Sequence, residues 1–433
     1  MTASGRRSLL RYTSAAAIAA LALTGCAGTG SSDDGGDGGG PVESLTLWSN
    51  HPGESKEIET ELLEAFEEES GIEVNLVTAG QNYEEVAQKF NAALSGGDLP
   101  DVVVASDVTW FNFALNDAIT PMDDLWESME VDSEGYVDAL REDYEFEGGH
   151  YAMPYARSTP LFYYNKAMWS AAGLPDRGPE SWEEWAEWGP QLAAANGSAA
   201  PMVLPDGSNY LDWYFQNMAW TFGGGYSDEW DMTFTADETI EAGEFLKDQH
   251  EQGLIAISND ANNQFGAGQA ASLLQSTGSL GGLRDTAEFE FGTAFLPGPT
   301  PATPTGGAGL AIPERISDER KEAAMELIAF LTNSDNTVKF SQATGYMPVQ
   351  KGSVDHPEMQ PYLEENPNAR TALEQLEVTK PQDYARVFLP GGGARIGAAL
   401  DQITIGGRDV QSVFEELQEE SQTVYERDIE PQL

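Results

Sequence analysis

Cysteine is nearly missing from this chain: Cys26 is the single one among 433 residues. No disulfide can form within the chain, so the fold must rest on packing alone. Histidine is scarce as well. The four present, His51, His150, His250 and His356, show no paired metal-ligand spacing. Basic residues number 22 against 72 acidic ones, a formal net charge of −50. So acidic a body repels phosphodiester backbones and anionic lipid surfaces, which argues against nucleic-acid binding. Beyond the first 26 residues no apolar run is long enough to span a bilayer. There is no Gly-x-Ser-x-Gly nucleophile elbow and no internal repeat. Carboxylates are too abundant for any pair to stand out as acid and base. No metal and no cofactor is expected.

What is present points to a folded, exported body. Hydrophobic residues make up 40% and aromatics 10%, too much for a disordered acidic chain. The acidity reads as a solvated, halophilic surface whose self-repulsion is screened by salt. The length calls for two lobes rather than one core. At the start, "GRRSLLRYTSAAAIAALALTGC" has a basic opening (Arg6, Arg7, Arg11) and an apolar stretch from Ala15 to Leu23. That stretch is too short for a mature membrane helix but suits a signal-peptide core. "LTGC" at 23–26 resembles the lipobox of exported lipoproteins, which implies a signal peptide over 1–25 and a lipid on Cys26. Arg6-Arg7 with Leu9-Leu10 resembles a twin-arginine signal, departing from it at Gly5 and Leu9, so Sec export stays open. Residues 27–43, "AGTGSSDDGGDGGGPVE", have almost nothing to bury and read as a tether to the outer face of the cytoplasmic membrane.

The body opens as alternating strands and helices. "SLTLWS" (44–49), "IEVNLV" (72–77) and "PDVVVAS" (100–106) read as strands. "KEIETELLEAFEEES" (56–70) and "NYEEVAQKFNAALSGG" (82–97) read as glycine-terminated amphipathic helices. Such an order implies parallel strands with helical crossovers, and ligands of such sheets bind beyond the carboxyl ends of the strands. Trp48, Tyr83 and Asp107 therefore fall on one rim. The Pro/Gly-rich 291–314 reads as a crossing between lobes. "KEAAMELIAFLTN" and the tail with Val410, Val413, Phe414, Leu417 and Val424 read as amphipathic helices.

From about Leu45 onward the chain resembles the extracellular solute-binding proteins of ABC importers, in the branch that includes maltose-binding protein, and within it the glycerol-3-phosphate binders. The resemblance is carried by "LWSNH", "NYEE", "LPDVVVASD", "RSTPLFYYNKAMWSAAGLP", "SWEEW", "STGSLGGLRD", "GGAGLAIP", "ATGYMPV" and "GGGARIGAALDQI". It implies an α/β, two-lobed periplasmic-binding-protein fold closing by a hinge. Residues 44–153 and 297–345 would then form one lobe, and 154–296 and 346–433 the other.

The resemblance also implies a set of ligand contacts. Trp48, Tyr83 and Asp107 would come from the first lobe, with Asp107 replacing a family glutamate that binds glycerol hydroxyls. Ser158 would donate from the second lobe, Trp182 would stack on the carbon backbone, and Ser276 and Ser279 would add hydroxyls. Gly307 would offer its amide, Tyr346 a phenol, and Arg395 would grip an anionic group. Taken singly, Tyr83 equally reads as a helix-packing residue, Ser279 as a cap and Arg395 as a partner of a surface carboxylate. The implied role is a monomeric substrate-binding lipoprotein that hands glycerol-3-phosphate or a glycerophosphodiester to a membrane permease. A neutral sugar or oligosaccharide is the alternative ligand. A secreted glycoside hydrolase and a receptor for a membrane sensor are the alternatives of other classes.

Overall fold

The computed structural model describes residues 41–51, 54–299 and 302–433. The readings of a signal peptide, of lipid on Cys26 and of most of the tether lie outside these residues. Ten strands form two five-stranded sheets. In chain order they are β1 (Ser44–Ser49), β2 (Glu73–Thr78), β3 (Val102–Ser106), β4 (Met153–Ser158), β5 (Pro160–Asn165), β6 (Met202–Pro205), β7 (Ile255–Ser258), β8 (Ser272–Ser276), β9 (Phe291–Ala294) and β10 (Gly306–Ala311). The first sheet runs β2-β1-β3-β10-β4 and the second β7-β6-β8-β5-β9.

β1 pairs in parallel with both β2 and β3, as the strand–helix alternation anticipated. β3 is buried along its whole length, which its unbroken apolar run required. β10 returns antiparallel between β3 and β4. Helix α1 (Glu54–Ser70) buries Ile58, Leu62, Leu63 and Phe66. Helix α2 (Tyr83–Gly96) starts where the Asn82 side chain accepts from the Glu85 amide and stops at left-handed Gly97. Its Val86 and Phe90 face the core.

On the second sheet lie α3 (Trp182–Ala195), α4 (Leu211–Thr221) and α5 (Asp237–Glu251). The chain then returns to the first lobe for α6 (Asp318–Leu331) and α7 (Ser334–Thr344). It ends on the second with α8 (Tyr384–Val387), α9 (Gly392–Ile403) and α10 (Val410–Val424), the last burying the five residues its periodicity singled out. No described helix is long and apolar enough to cross a membrane.

The crossings differ from the sequence expectation. A first boundary at 153/154 would cut β4 from its sheet, yet Ser158 pairs with Gly306 of β10, and Pro160 with Ser276 of β8. The chain therefore changes sheets at Thr159, and Ser158 belongs to the first lobe, not the second. The last boundary also moves beyond 346. Tyr346 stacks on Phe340, Met347 bridges Arg157 at the sheet edge, and Val349 sits in the first-lobe core. Met359 and Leu363 are the first residues after that to join the second-lobe core.

Candidate functional site

A cavity of about 130 Å³ lies between the two sheets, lined by Tyr83, Asp107, Ser158, Tyr210, Trp213, Tyr214, Gln275, Ser276, Gly307, Tyr346 and Arg386. Six residues picked out from the sequence meet here: Tyr83, Asp107, Ser158, Ser276, Gly307 and Tyr346. Four of them sit at element ends. Tyr83 opens α2, Asp107 follows β3, Ser158 ends β4 and Ser276 ends β8. That is where open α/β sheets present their ligands.

Four expected residues do not line this cavity. Trp48 is 8% exposed and packs in the core, with the Lys89 ammonium 4.1 Å above its ring. Trp182 is buried at the start of α3, its Nε1 donating to Asn217 at 3.0 Å. Ser279 lines a neighbouring cavity instead. Arg395 points along α9 and donates to the Pro390 carbonyl at 2.9 Å. Burial lowers its pKa, and Glu420 and Asp428 pull the other way.

The cation at the site is Arg386, on the four-residue helix α8. Its Nη1 donates to Asp107 Oδ2 at 3.0 Å and its Nε to Asp212 Oδ2 at 2.7 Å. Gln382 joins them, donating to Asp107 Oδ2 at 2.6 Å and accepting from Arg386. Arg386 is 2% exposed. Burial alone would lower its pKa, but the Asp212 and Asp107 carboxylates outweigh that and hold it above the usual arginine range. Burial raises the Asp212 pKa, opposed by Arg386. Asp107 thus comes from the first lobe, while Arg386 and Asp212 come from the second.

Trp213, not Trp182, is the tryptophan that lines the cavity. Its Nε1 donates to the Thr305 carbonyl at 2.9 Å, and its ring lies where a Cβ on Gly306 would be, 2.6 Å away. Gly307 has φ +100°, and a Cβ there would sit 2.1 Å from the Ala156 carbonyl oxygen, so only glycine fits. Tyr210 is held at φ 71° before α4, an uncommon backbone for a bulky residue. Its phenol oxygen accepts across the cleft from the Tyr83 amide at 3.2 Å.

Burial pushes the Tyr83 pKa well above the ordinary value and that of Tyr346 to about 12, so both stay neutral donors. Behind them a buried network fixes the rings. Glu59 accepts from Ser49 at 3.0 Å and Tyr155 at 3.3 Å and pairs with His51 Nδ1 at 2.8 Å. The His51 ring then packs 5.7 Å from Tyr346 and 6.3 Å from Tyr83.

A pocket of neutral hydroxyls around one carboxylate–guanidinium pair, set between two hinged sheets, is built to hold a small polar molecule. The family model for bacterial extracellular solute-binding proteins matches residues 61–371. The chain belongs to that family. This solute-binding protein is similar to the UgpB of Mycobacterium tuberculosis, solved in complex with glycerophosphocholine. The two share 51% identity at a TM-score of 0.87, over 90% of this chain and 100% of that one. The sn-glycerol-3-phosphate-binding periplasmic protein UgpB of Escherichia coli K12 is 25% identical over 415 residues, 91% of each chain. The maltose-bound MalE3 of Thermotoga maritima shares the fold at a TM-score of 0.78 and 21% identity, over 88% of this chain and 99% of that one. Family and fold are those of exported substrate-binding components of ABC importers, not of enzymes.

Proposed function

We propose that this solute-binding protein captures a glycerophosphodiester between its lobes and delivers it to the permease of an ABC importer. The observation that carries this reading is the Asp107–Arg386 pair inside a ring of uncharged donors. Asp107 accepts from two glycerol hydroxyls while Arg386 and Gln382 hold its carboxylate in place. Trp213 covers the carbon backbone. Tyr83, Ser158, Ser276 and Tyr346 donate to the phosphate.

Charge decides between the two phosphorylated ligands. Asp107, Asp212 and Arg386 sum to −1, so the guanidinium is already neutralised. A phosphate monoester carries about −1.5 to −2 at pH 7, a diester only one charge. Repulsion in a partly dry cleft therefore favours the diester over glycerol-3-phosphate. The relatives bind these classes: glycerophosphocholine is in the Mycobacterium complex and glycerol-3-phosphate in the Escherichia name. A glycosidase would need two carboxyl groups flanking the bond, and Asp107 is the one carboxylate among the cavity-lining residues.

Export through the 1–25 signal, with lipid on Cys26 and the 26–43 tether, places a monomer at the outer membrane face, beside its permease. Replacing Cys26→Ala would release the protein into the medium. For the ligand, calorimetric titration in high salt against glycerophosphocholine, glycerol-3-phosphate and maltose is the test. Diester binding tighter than glycerol-3-phosphate supports the reading, and binding to maltose alone overturns it.

A further inference from the structure

The central cavity is the smaller of two that adjoin, at about 130 Å³, and a diester carries a second ester arm. Beside it lies a larger cavity of about 380 Å³, and Ser276 and Tyr346 line both. Its walls come from both lobes. Ser55 of α1 and Thr344 of α7 face Asn262, Asn263, Ser279, Gly282 and Thr286 of the second lobe. It is therefore a compartment of the closed cleft, formed when the lobes meet, and not a dent on one surface. The two lobes touch closely here. A Cβ on Gly278 would lie 2.7 Å from the Tyr346 ring, so glycine lets that ring reach the second lobe.

The compartment is uncharged, with Leu283 its one aliphatic side chain. Its polar side chains are hydroxyls and amides, with no ionisable group other than the neutral Tyr346 phenol. Asn262 is fixed from both sides, its Oδ1 accepting from Gln275 at 2.6 Å and its Nδ2 reaching the Ser279 hydroxyl at 3.4 Å. Another cavity that shares Asp107 is different: Glu142, Asp143 and Glu145 outnumber Arg157 and Lys380 in its wall, beside the Tyr384 and Phe388 rings. A cationic alcohol would be drawn to that side, an uncharged hydroxylated one to this side.

We propose that the compartment lined by Ser279, Asn262 and Asn263 holds the second alcohol of the phosphodiester and selects an uncharged polyol such as glycerol or inositol. This rests on the phosphodiester reading above. The phosphate then sits at the sill formed by Ser276 and Tyr346, with one ester arm in each compartment. Ser279 thus contacts the ligand's far end and not its glycerol phosphate.

The test is titration of the full chain and two variants with glycerophosphoglycerol, glycerophosphoinositol, glycerophosphocholine and glycerol-3-phosphate. Gly282→Leu puts an apolar side chain into the compartment, and its Cβ meets nothing within 4 Å. Ser279→Ala removes one hydroxyl and keeps the volume. The wild type is expected to bind the two polyol diesters about tenfold more tightly than glycerophosphocholine. Gly282→Leu is expected to weaken the polyol diesters about tenfold or more and glycerol-3-phosphate less than about twofold. Ser279→Ala is expected to weaken them about fivefold. Glycerophosphocholine binding as tightly as the polyol diesters, or variants that weaken all four ligands equally, would overturn the compartment while leaving diester capture intact. No binding of any glycerol phosphate would overturn both.

Discussion

Arg386 Nη1 stands 3.0 Å from Asp107 Oδ2, and this ion pair joins the two lobes across the ligand cavity. Asp107 follows a strand of the first sheet, whereas Arg386 arrives near the end of the chain on a short helix packed against the second lobe. The same guanidinium grips Asp212 at 2.7 Å, so one buried cation serves two carboxylates.

Removing that cation strands both. Arg386→Ala is expected to lower stability by about 3–5 kcal/mol, the usual cost of leaving buried charge unpaired, and to abolish ligand binding. Arg395→Ala is expected to change affinity by less than about twofold. Urea unfolding and calorimetric titration of both variants check this. A binding loss confined to Arg395→Ala would reverse the assignment.

Asp107→Asn keeps shape and removes charge. Arg386 retains Asp212, so the fold holds. The glycerol hydroxyls lose a charged acceptor, which costs about 1.5–3 kcal/mol, or roughly 10- to 100-fold in affinity. Titration with glycerophosphocholine reads the change directly.

Gly307→Ala tests the backbone. The added Cβ would meet the Ala156 carbonyl oxygen at 2.1 Å with φ at +100°. The expected loss is on the order of 3 kcal/mol, seen as a lower urea midpoint. A midpoint unchanged from wild type would mean the strand edge relaxes freely.

Tyr346 gives a pH signature. Its pKa is raised from 10.0 to about 12, with burial as the leading cause. The folded state therefore holds this proton more tightly than the unfolded chain. Stability from this group is full below pH 10 and is lost as pH rises toward 12. Tyr346→Phe is expected to flatten that part of the stability–pH curve, measured by urea unfolding between pH 9 and 12 at fixed ionic strength.

Tyr210→Phe removes the phenol that reaches the Tyr83 amide and leaves the ring. An expected twofold to fivefold loss in affinity would follow from a less favoured closed state. Small-angle scattering of the unliganded variant would report a larger radius than wild type.

Much of this was legible in the sequence because it is local. β1, α1, β2, α2 and β3 follow from periodicity and glycine stops. Tyr83 and Asp107 follow from their places beyond strand ends. Arg386 was not legible. "QDYARVF" carries no pattern of its own, and its contact with Asp107 spans 279 residues. The neighbouring "GGGARIG" drew the eye to Arg395. Its glycines serve a different end: a Cβ on Gly392 would strike the Ala385 carbonyl at 2.2 Å, so that glycine lets the helix pack on the Arg386 segment. Trp182 and Trp213 show the same limit. Both sit near helix starts in aromatic surroundings, and only the tertiary partners, Asn217 for one and Thr305 for the other, decide which ring meets the cavity.

Thr159 is the single residue between β4 of the first sheet and β5 of the second. It is one of the crossings about which the lobes turn against each other. Ser158, one peptide away, has almost no lever arm and barely shifts as the angle changes. Tyr83 and Tyr210 ride on different lobes and must travel to meet. A ligand arriving at the open form thus finds the floor already assembled and the roof still apart.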